Sequence, residues 1–279
     1  MREDTFLGKT TEYCSKYNPD LLVFVPRESK RKEIGITSQL PFVGFDLWNA
    51  YELSYLNPKG KPEVRIGKLI YSANTDNIVE SKSLKLYFNS FNMTNIESDE
   101  QFKQIVESDL KKGLNDENLK FDIYTINDDF RFSNEPKYKN IDNIDITPKT
   151  YSVDNKLLKF IEGNDEQLLS SDLLKSNCLV TNQPDWGSVY IEIKPNGKII
   201  DTKSLLEYIV SFREHNEFHE QCIERIFNDL NNILIPKYLS VFGKYVRRGG
   251  IDINPYRETY DSGFYDKMKT FIFYRGTKQ

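Results

Sequence analysis

The sequence predicts an α+β protein with antiparallel sheets and paired helices, built as two related halves. Residues 80–92 (ESKSLKLYFNSFN) recur as residues 201–213 (DTKSLLEYIVSFR), with six of the thirteen positions identical. The match resumes further on, where Asp109-Leu110 corresponds to Asp229-Leu230. Repetition over this length indicates that a whole helical region was duplicated. Because strands precede the helices in each half, the order of elements is typical of an α+β fold.

The first half is predicted to begin with a β-hairpin, after an N-terminal arm at residues 1–45. An aromatic-rich segment at 46–56 and an alternating segment at 64–71 flank the turn cluster 57–62 (NPKGKP). This pattern is typical of a hairpin. The charged run 27–33 (RESKRKE) in the arm is interpreted as a solvated loop without chemistry.

A helix follows in each half. The first is expected to start near Ser83, a good N-cap, and the second follows an alternating strand and the turn at 195–197 (PNG). Both helices carry an apolar stripe, formed by Leu84, Tyr87, Phe88 and Phe91 in the first copy and by Leu205, Tyr208, Ile209 and Phe212 in the second. This i, i+3, i+4, i+7 spacing predicts that one face of each helix packs in a core.

The chain is predicted to divide into a first module at 46–130, a connection at 131–170 and a second module at 171–279. The connection is rich in Asn, Asp and Lys and shows little periodicity, which is typical of a long loop. Further strands are expected at 121–126, 239–247 and 270–274.

Composition limits the class of protein. A chain of 279 residues suits two domains of ordinary size. The net charge of −4 and pI of about 5.5 do not resemble a nucleic-acid-binding surface, so we expect a small-molecule partner and no direct nucleic-acid contact. No apolar run suggests a membrane span or signal peptide, so we expect a cytoplasmic protein. Three widely spaced cysteines indicate reduced thiols.

Cys178 and Asp185 are candidates for chemistry. Both lie in the polar, turn-forming stretch 176–188 (SNCLVTNQPDWGS), so Cys178 is not expected to be a buried strand cysteine. A thiolate here could attack a substrate while the carboxyl group of Asp185 supplies a proton. The alternatives are an inert small hydrophobe for Cys178 and a turn-stabilising role for Asp185.

His215 and His219 stand four residues apart, with Cys222 three further on. This spacing could bind zinc, with Cys222 or Cys178 as a third ligand. We prefer a helix-capping histidine and a nucleobase-facing one, because no Cys-x2-Cys accompanies the pair. Glu220 has two acceptor oxygens that suit the N1–H and amine of a guanine-like base. Glu80 could bind the same ligand from the first half.

No Gly-x-Gly-x-x-Gly segment is present, so a Rossmann cofactor site is not expected. Instead, Lys82 and the run 247–257 (RRGGIDINPYR) place cationic side chains near two glycines. Glycines permit close approach of the backbone to a phosphate. The alternative is a charged strand end.

Four segments together resemble the NADPH-dependent 7-cyano-7-deazaguanine reductases in their long bimodular form. They are 80–87 (ESKSLKLY), 176–187 (SNCLVTNQPDWG), 211–221 (SFREHNEFHEQ) and 247–254 (RRGGIDIN). The first is the signature that separates these nitrile reductases from the related GTP cyclohydrolases. The resemblance covers most of the chain.

This resemblance implies two tandem tunnel-fold modules, a homodimer, and reduction of a nitrile to a primary amine with two NADPH and no metal. The product would be 7-aminomethyl-7-deazaguanine, for queuosine in tRNA. By the family's pattern, Cys178 forms a covalent thioimide with the nitrile carbon and Asp185 donates a proton.

The family's pattern also implies the binding residues. Substrate would contact Val79, Glu80, Ser81, His219 and Glu220, and NADPH would contact Ser81, Lys82, Arg248 and Gly249. Because these residues come from both halves, we expect one site assembled from both and no activity from either half alone. Two other classes remain open: a zinc-dependent, GTP-cyclohydrolase-like purine hydrolase using Cys178, a histidine and Cys222, and a non-enzymatic purine-binding module.

Overall fold

The computed structural model describes residues 13–125 and 137–263. The helices are α1 (Glu28–Glu33), α2 (Ser81–Ser90), α3 (Asp99–Leu114), α4 (Thr202–Ser211) and α5 (His219–Leu234). The strands are β1 (Phe24–Pro26), β2 (Val43–Leu56), β3 (Pro62–Ser72), β4 (Asn77–Val79), β5 (Lys120–Thr125), β6 (Lys139–Asn140), β7 (Phe160–Glu162), β8 (Gln167–Ser171), β9 (Lys175–Asn177), β10 (Pro184–Lys194), β11 (Lys198–Ile200), β12 (Tyr238–Tyr245) and β13 (Ile251–Glu258). The predicted α+β class with antiparallel sheets is confirmed; the short pair of β6 and β8 is parallel. Over the described ranges, no helix is long and apolar enough to cross a membrane.

The chain forms two compact units. Of the described residues, the first comprises 13–37, 45–125 and 247–253, and the second comprises 38–44, 137–246 and 254–263. The chain therefore passes between the units more than once. The predicted division into arm, modules and connection stays a prediction.

In the first unit, the predicted hairpin is confirmed. Strands β2 and β3 pair antiparallel from Phe45 opposite Ser72 to Leu56 opposite Pro62, and β5 adds to the other edge of β3. The side-chain carbonyl of Asn57 accepts hydrogen bonds from the backbone amides of Lys59 and Lys61, which closes the turn. The predicted apolar stripe of α2 is buried in the core of this unit.

Helix α2 begins two residues before the predicted N-cap. Glu80 is the N-cap, and its two carboxylate oxygens accept hydrogen bonds from the backbone amides of Lys82 (3.0 Å) and Ser83 (2.8 Å). The hydroxyl of Ser83 instead accepts a hydrogen bond from the backbone amide of Val23 at 3.1 Å. The expectation for Ser83 was wrong because the carboxylate satisfies two of the open amides of the first turn.

The charged run at 27–33 is not a solvated loop. Residues Glu28–Glu33 form α1, and Arg27 makes a buried ion pair with Asp46 at 2.5 Å. Arg31 is also buried and donates a hydrogen bond to the carbonyl of Ala73 at 2.6 Å. The run is therefore part of the fold, because its two arginines are buried and Lys30 is partly buried, whereas Lys32 remains exposed.

In the second unit, β10 is the central strand, paired antiparallel with β12 on one side and β8 on the other. The strands predicted at 121–126 and 239–247 are confirmed as β5 and β12, whereas the one predicted at 270–274 lies outside the described residues. Residues 137–170 include β6, β7 and most of β8 rather than an irregular loop. These strands are only two to five residues long, which is too short to show periodicity in the sequence.

The same hydrogen bonds occur at matching positions in each unit. The hydroxyl of Tyr87 donates to Asp109 at 2.7 Å, and that of Tyr208 donates to Asp229 at 2.6 Å. Both pairs lie at positions that the sequence repeat aligns.

The segments that dock on the repeated helices also match. The backbone amide of Glu80 donates to the carbonyl of Val23 at 2.8 Å, and that of Asp201 donates to the carbonyl of Lys159 at 2.9 Å. Strand β1 then pairs with β4, as β7 pairs with β11. Part of the predicted arm and part of the predicted connection thus hold equivalent places in their units.

We expect Arg27→Met to destabilise the protein by about 3–5 kcal/mol, because removing one partner of a buried ion pair leaves the other charge without it. The free energy of unfolding in denaturant measures this change. Lys32→Met is the matched control, since Lys32 lies in the same run and its side chain is 56% exposed. Equal effects of the two substitutions would contradict the assigned burial of Arg27.

Candidate active site

Cys178 lies at the end of a short hairpin in the second unit. Strand β9 pairs with the start of β10, with Asn177 opposite Pro184 and Ser176 opposite Asp185. In the intervening loop, the amide of Cys178 donates to the carbonyl of Gln183 at 2.8 Å. The thiol is free and half-buried. As predicted, Cys178 is not a buried strand cysteine.

Asp185 lies in β10 and only 4% of it is exposed. It belongs to a strand rather than to a turn, so the interpretation as a turn-stabilising residue is wrong. The Nε2 atom of His219, the first residue of α5, lies 3.4 Å from Oδ2 of Asp185. The structure thus brings together two of the predicted site residues, because His219 at the start of α5 faces Asp185 in the hairpin that carries Cys178.

The imidazole of His219 rests on Tyr245, with ring centroids 4.0 Å apart and an interplanar angle of 32°. Gly187 lies opposite Tyr245 in the strand pair. A Cβ atom at Gly187 would lie 3.1 Å from the tyrosine ring, so glycine leaves room for the ring beneath His219. No spacing in the sequence pointed to Tyr245.

The segment before α5 pairs with β9. The amide of Asn177 donates to the carbonyl of His215 at 2.7 Å, and the amide of Glu217 donates to the carbonyl of Asn177 at 3.2 Å. Glu217 is buried, and its carboxylate accepts a hydrogen bond from Nε of Arg225 at 2.7 Å. The segment that leads to His219 is therefore fixed both to the strand before Cys178 and to α5.

The same residues do not favour a zinc site. Nε2 of His215 lies 2.9 Å from Glu217, whereas His219 faces Asp185. Cys222 is fully buried, and burial raises the pKa of its thiol, which opposes the thiolate that zinc binds. Within 13–125 and 137–263, no group of three or more His, Cys, Asp or Glu residues could hold a metal ion.

Two carboxylates that the sequence predicted to bind substrate are buried. Glu220 lies in the first turn of α5 and is 4% exposed, and Glu80, in the first unit, is 2% exposed. Burial raises the pKa of Glu80, while the backbone hydrogen bonds from Lys82 and Ser83 act in the opposite direction. Buried Val79 precedes Glu80 at the end of β4.

Arg248 and Gly249 form a tight turn in the first unit. The amide of Arg248 donates to the carbonyl of Ile251 at 2.9 Å, and Gly249 has a φ of +58°. A Cβ atom at Gly249 would lie 3.0 Å from Nζ of Lys85. An ammonium group beside open glycine backbone suits an anion such as a phosphate.

Lys85 was missed by sequence reasoning. It lines a small pocket with Gly249, and its Nζ lies 3.7 Å from Oε2 of Glu52. The repeat contained the signal, because the second copy has Leu206 at the matching position. A cationic side chain that occurs in only one copy of the repeat is not required by the shared fold, so it is a candidate for binding a ligand.

The predicted site residues thus fall into two sets. Val79, Glu80, Ser81, Lys82, Arg248 and Gly249 belong to the first unit, and Cys178, Asp185, His219 and Glu220 belong to the second. That one site is assembled from both halves stays a prediction.

Two family models match the chain. One, described as nitrile reductase, 7-cyano-7-deazaguanine-reductase N-term, matches residues 13–121, and the other, described as QueF-like protein, matches residues 184–263.

Three curated proteins that are similar over almost the whole chain are called NADPH-dependent 7-cyano-7-deazaguanine reductase. The protein from Ralstonia nicotianae is 45% identical over 96% of this chain and 97% of its own. The one from Dechloromonas aromatica is 49% identical over 91% and 90%, and the one from Cupriavidus metallidurans is 46% identical over 96% and 98%. The crystal structure of the archaeosine synthase QueF-Like in the apo form aligns with 36% of this chain and 91% of its own, at 18% identity and a TM-score of 0.29.

We expect iodoacetamide at neutral pH to label Cys178 and to spare Cys222 in the folded protein. Burial makes the Cys222 thiol inaccessible to the reagent and raises its pKa, so the thiol also stays protonated. Peptide mass spectrometry before and after denaturation measures the labelling. Rapid labelling of Cys222 in the folded chain would contradict the burial described above.

Proposed function

This chain belongs to the family of NADPH-dependent 7-cyano-7-deazaguanine reductases, and we propose that Cys178 and Asp185 carry the reduction of the nitrile. The protein is an oxidoreductase that uses NADPH. The observation that supports the roles of both residues is that they belong to one short hairpin, formed by β9 and the start of β10. The hairpin thereby carries the nucleophile in its loop, directly after β9, and the acid on the facing strand β10.

The proposed first step is addition of the Cys178 thiolate to the nitrile carbon. A carbon–sulfur bond forms, and the nitrile nitrogen gains an electron pair that must be protonated. Asp185 supplies this proton, which gives a covalent thioimide. His219 lies 3.4 Å from Asp185, so it is placed to orient the carboxyl group toward the substrate.

Complete reduction of a nitrile to a primary amine requires two two-electron steps. When bound, NADPH supplies the hydride for each of them. After the first, the carbon–sulfur bond breaks, Cys178 regains its thiolate, and an imine remains. The second reduction and further proton transfer give 7-aminomethyl-7-deazaguanine, for queuosine in tRNA. The imine must be kept from water in the meantime, which requires a closed site.

The residues present fit a dinucleotide with phosphate groups. Lys82 and Lys85 lie on α2, and Gly249 presents open backbone next to the Lys85 ammonium group. Arg248 adds a guanidinium group at the same turn. We propose that these residues, with Ser81, hold the phosphates of NADPH through charge-assisted hydrogen bonds.

We propose that the base of the substrate is recognised by the buried carboxylates of Glu80 and Glu220, with Val79, Ser81 and His219 around it. A carboxylate can accept hydrogen bonds from the N1–H and the exocyclic amine of a guanine-like ring together. Glu80 already accepts one backbone amide on each oxygen. Its orientation is therefore fixed before a ligand arrives.

The finer architecture is also a proposal: two tandem tunnel-fold modules and a cytoplasmic homodimer. The duplicated tyrosine–aspartate hydrogen bonds and the matching docked segments support a tandem arrangement. Light scattering after size-exclusion chromatography tests the dimer, which would have twice the chain mass of 32.7 kDa.

We expect the protein mixed with 7-cyano-7-deazaguanine, without NADPH, to gain the mass of the substrate. Intact-protein mass spectrometry measures this adduct. Cys178→Ala should form none, and Asp185→Asn should form it far more slowly because the nitrogen anion is left without its acid. Added NADPH should discharge the adduct of the native protein.

Cys14→Ser is the matched control, since Cys14 is also a free, half-buried thiol, and it should form the adduct at the native rate. An adduct on Cys178→Ala would refute the proposed nucleophile. Well-folded protein that neither forms an adduct nor consumes NADPH would refute the nitrile mechanism.

A further inference from the structure

The loop that carries Cys178 is held by one side chain that the proposed mechanism does not use. The side-chain amide nitrogen of Asn216, Nδ2, donates a hydrogen bond to the backbone carbonyl oxygen of Cys178 at 3.2 Å. The same nitrogen donates a second, short hydrogen bond to the side-chain oxygen of Asn182. We infer that Asn216 is a positioning residue that fixes the Cys178 loop so that its sulfur meets the nitrile carbon. This inference rests on the proposed role of Cys178 as nucleophile.

The loop needs such a support because its own backbone supplies few hydrogen bonds. The carbonyl of Cys178 also accepts the amide of Asn182 at 3.0 Å, which closes a turn of five residues. Asn182 adopts the left-handed conformation, with a φ of +55°, which costs free energy for a residue with a side chain. The side-chain amide of Asn216 donates to both the first residue of this turn, Cys178, and the last, Asn182. It thereby stabilises the strained backbone conformation of the turn.

Asn216 can do this because its own position is fixed. The residues on either side of Asn216, His215 and Glu217, form backbone hydrogen bonds with Asn177. These bonds place Asn216 beside the end of β9. The buried carboxylate of Glu217 is in turn held by Arg225 of α5. A support of this kind acts on the nucleophile through geometry, without contact with the reacting atoms.

The chemistry of the contact requires a primary amide. Both partners of Asn216 Nδ2 are oxygen acceptors, so two N–H donors on one nitrogen are needed. Asn216→Ala removes both donors. Asn216→Asp keeps the shape but places a carboxylate against two acceptor oxygens, so it should disturb the loop at least as much.

The test compares two reactions of the same sulfur. The first is the rate of adduct formation with saturating 7-cyano-7-deazaguanine, without NADPH, for the full-length protein. The second is the rate of alkylation of Cys178 by iodoacetamide, which can approach from many directions and places little demand on the orientation of the thiol. Asn232→Ala is the matched control, because Asn232 is an exposed asparagine on α5 of the same unit.

We expect Asn216→Ala and Asn216→Asp to slow adduct formation by roughly 10- to 100-fold, the cost of displacing a reacting group by about 1 Å. Alkylation of Cys178, the melting temperature and the substrate concentration at half-maximal rate should stay near native values. A purely structural role for Asn216 would instead change the melting temperature, or would slow both reactions together. Asn232→Ala should match the native protein in both reactions.

Asn182→Gly covers the case in which the Asn216 variants do not fold. It removes one acceptor of the Asn216 amide while glycine keeps the left-handed backbone, and it should slow adduct formation less than Asn216→Ala would. Native adduct rates in every folded variant of Asn216 and Asn182 would overturn the inference while leaving Cys178 as nucleophile. An adduct that persists in Cys178→Ala would overturn both the inference and the proposed function.

Discussion

Two backbone hydrogen bonds at Asn177 connect the segments that carry the candidate site residues of the second unit. They tie the end of β9 to the segment that leads into α5. Cys178 follows directly after Asn177, and His219 follows two residues after Glu217. The backbone hydrogen bonds at Asn177 therefore lie close in sequence to both residues. Asp185 enters from the facing strand of the hairpin. Cys178 and Asp185 belong to one hairpin, whereas His219 comes from a later segment, and this pairing links the two.

Much of the fold could be predicted because its signals were long. The hairpin of β2 and β3, the apolar stripes of the helices and strand β12 each extend over eight residues or more, enough for periodicity to be clear. The short strands β1 and β7 gave no such signal. The sequence signal for these two matching strands is a further repeat besides the helical one. In it, Leu21-Leu22-x-Phe24 matches Leu157-Leu158-x-Phe160.

The start of α2 and the charged run were mispredicted for a common reason: polar residues were read by their local propensity alone. The charge of buried Arg27 is compensated by Asp46, which belongs to a strand that the run itself does not reveal. Cys178 and Asp185 were predicted as site residues from a polar segment and from family likeness. Tyr245 and Asn216 were not, because ring stacking and side-chain amide bridges depend on tertiary geometry.

The N-cap position shows how duplicated helices can diverge. Glu80 caps α2 through two amides, whereas Asp201 caps α4 through one, at 3.3 Å. Helix stability alone favours an acidic residue at this position in either copy. Selection for folding would thus have preserved a carboxylate there before any ligand required it. A change of one methylene in that side chain would then let one copy acquire the recognition of a base proposed for Glu80 while its sister remained a scaffold, with neither helix losing its first turn during the transition.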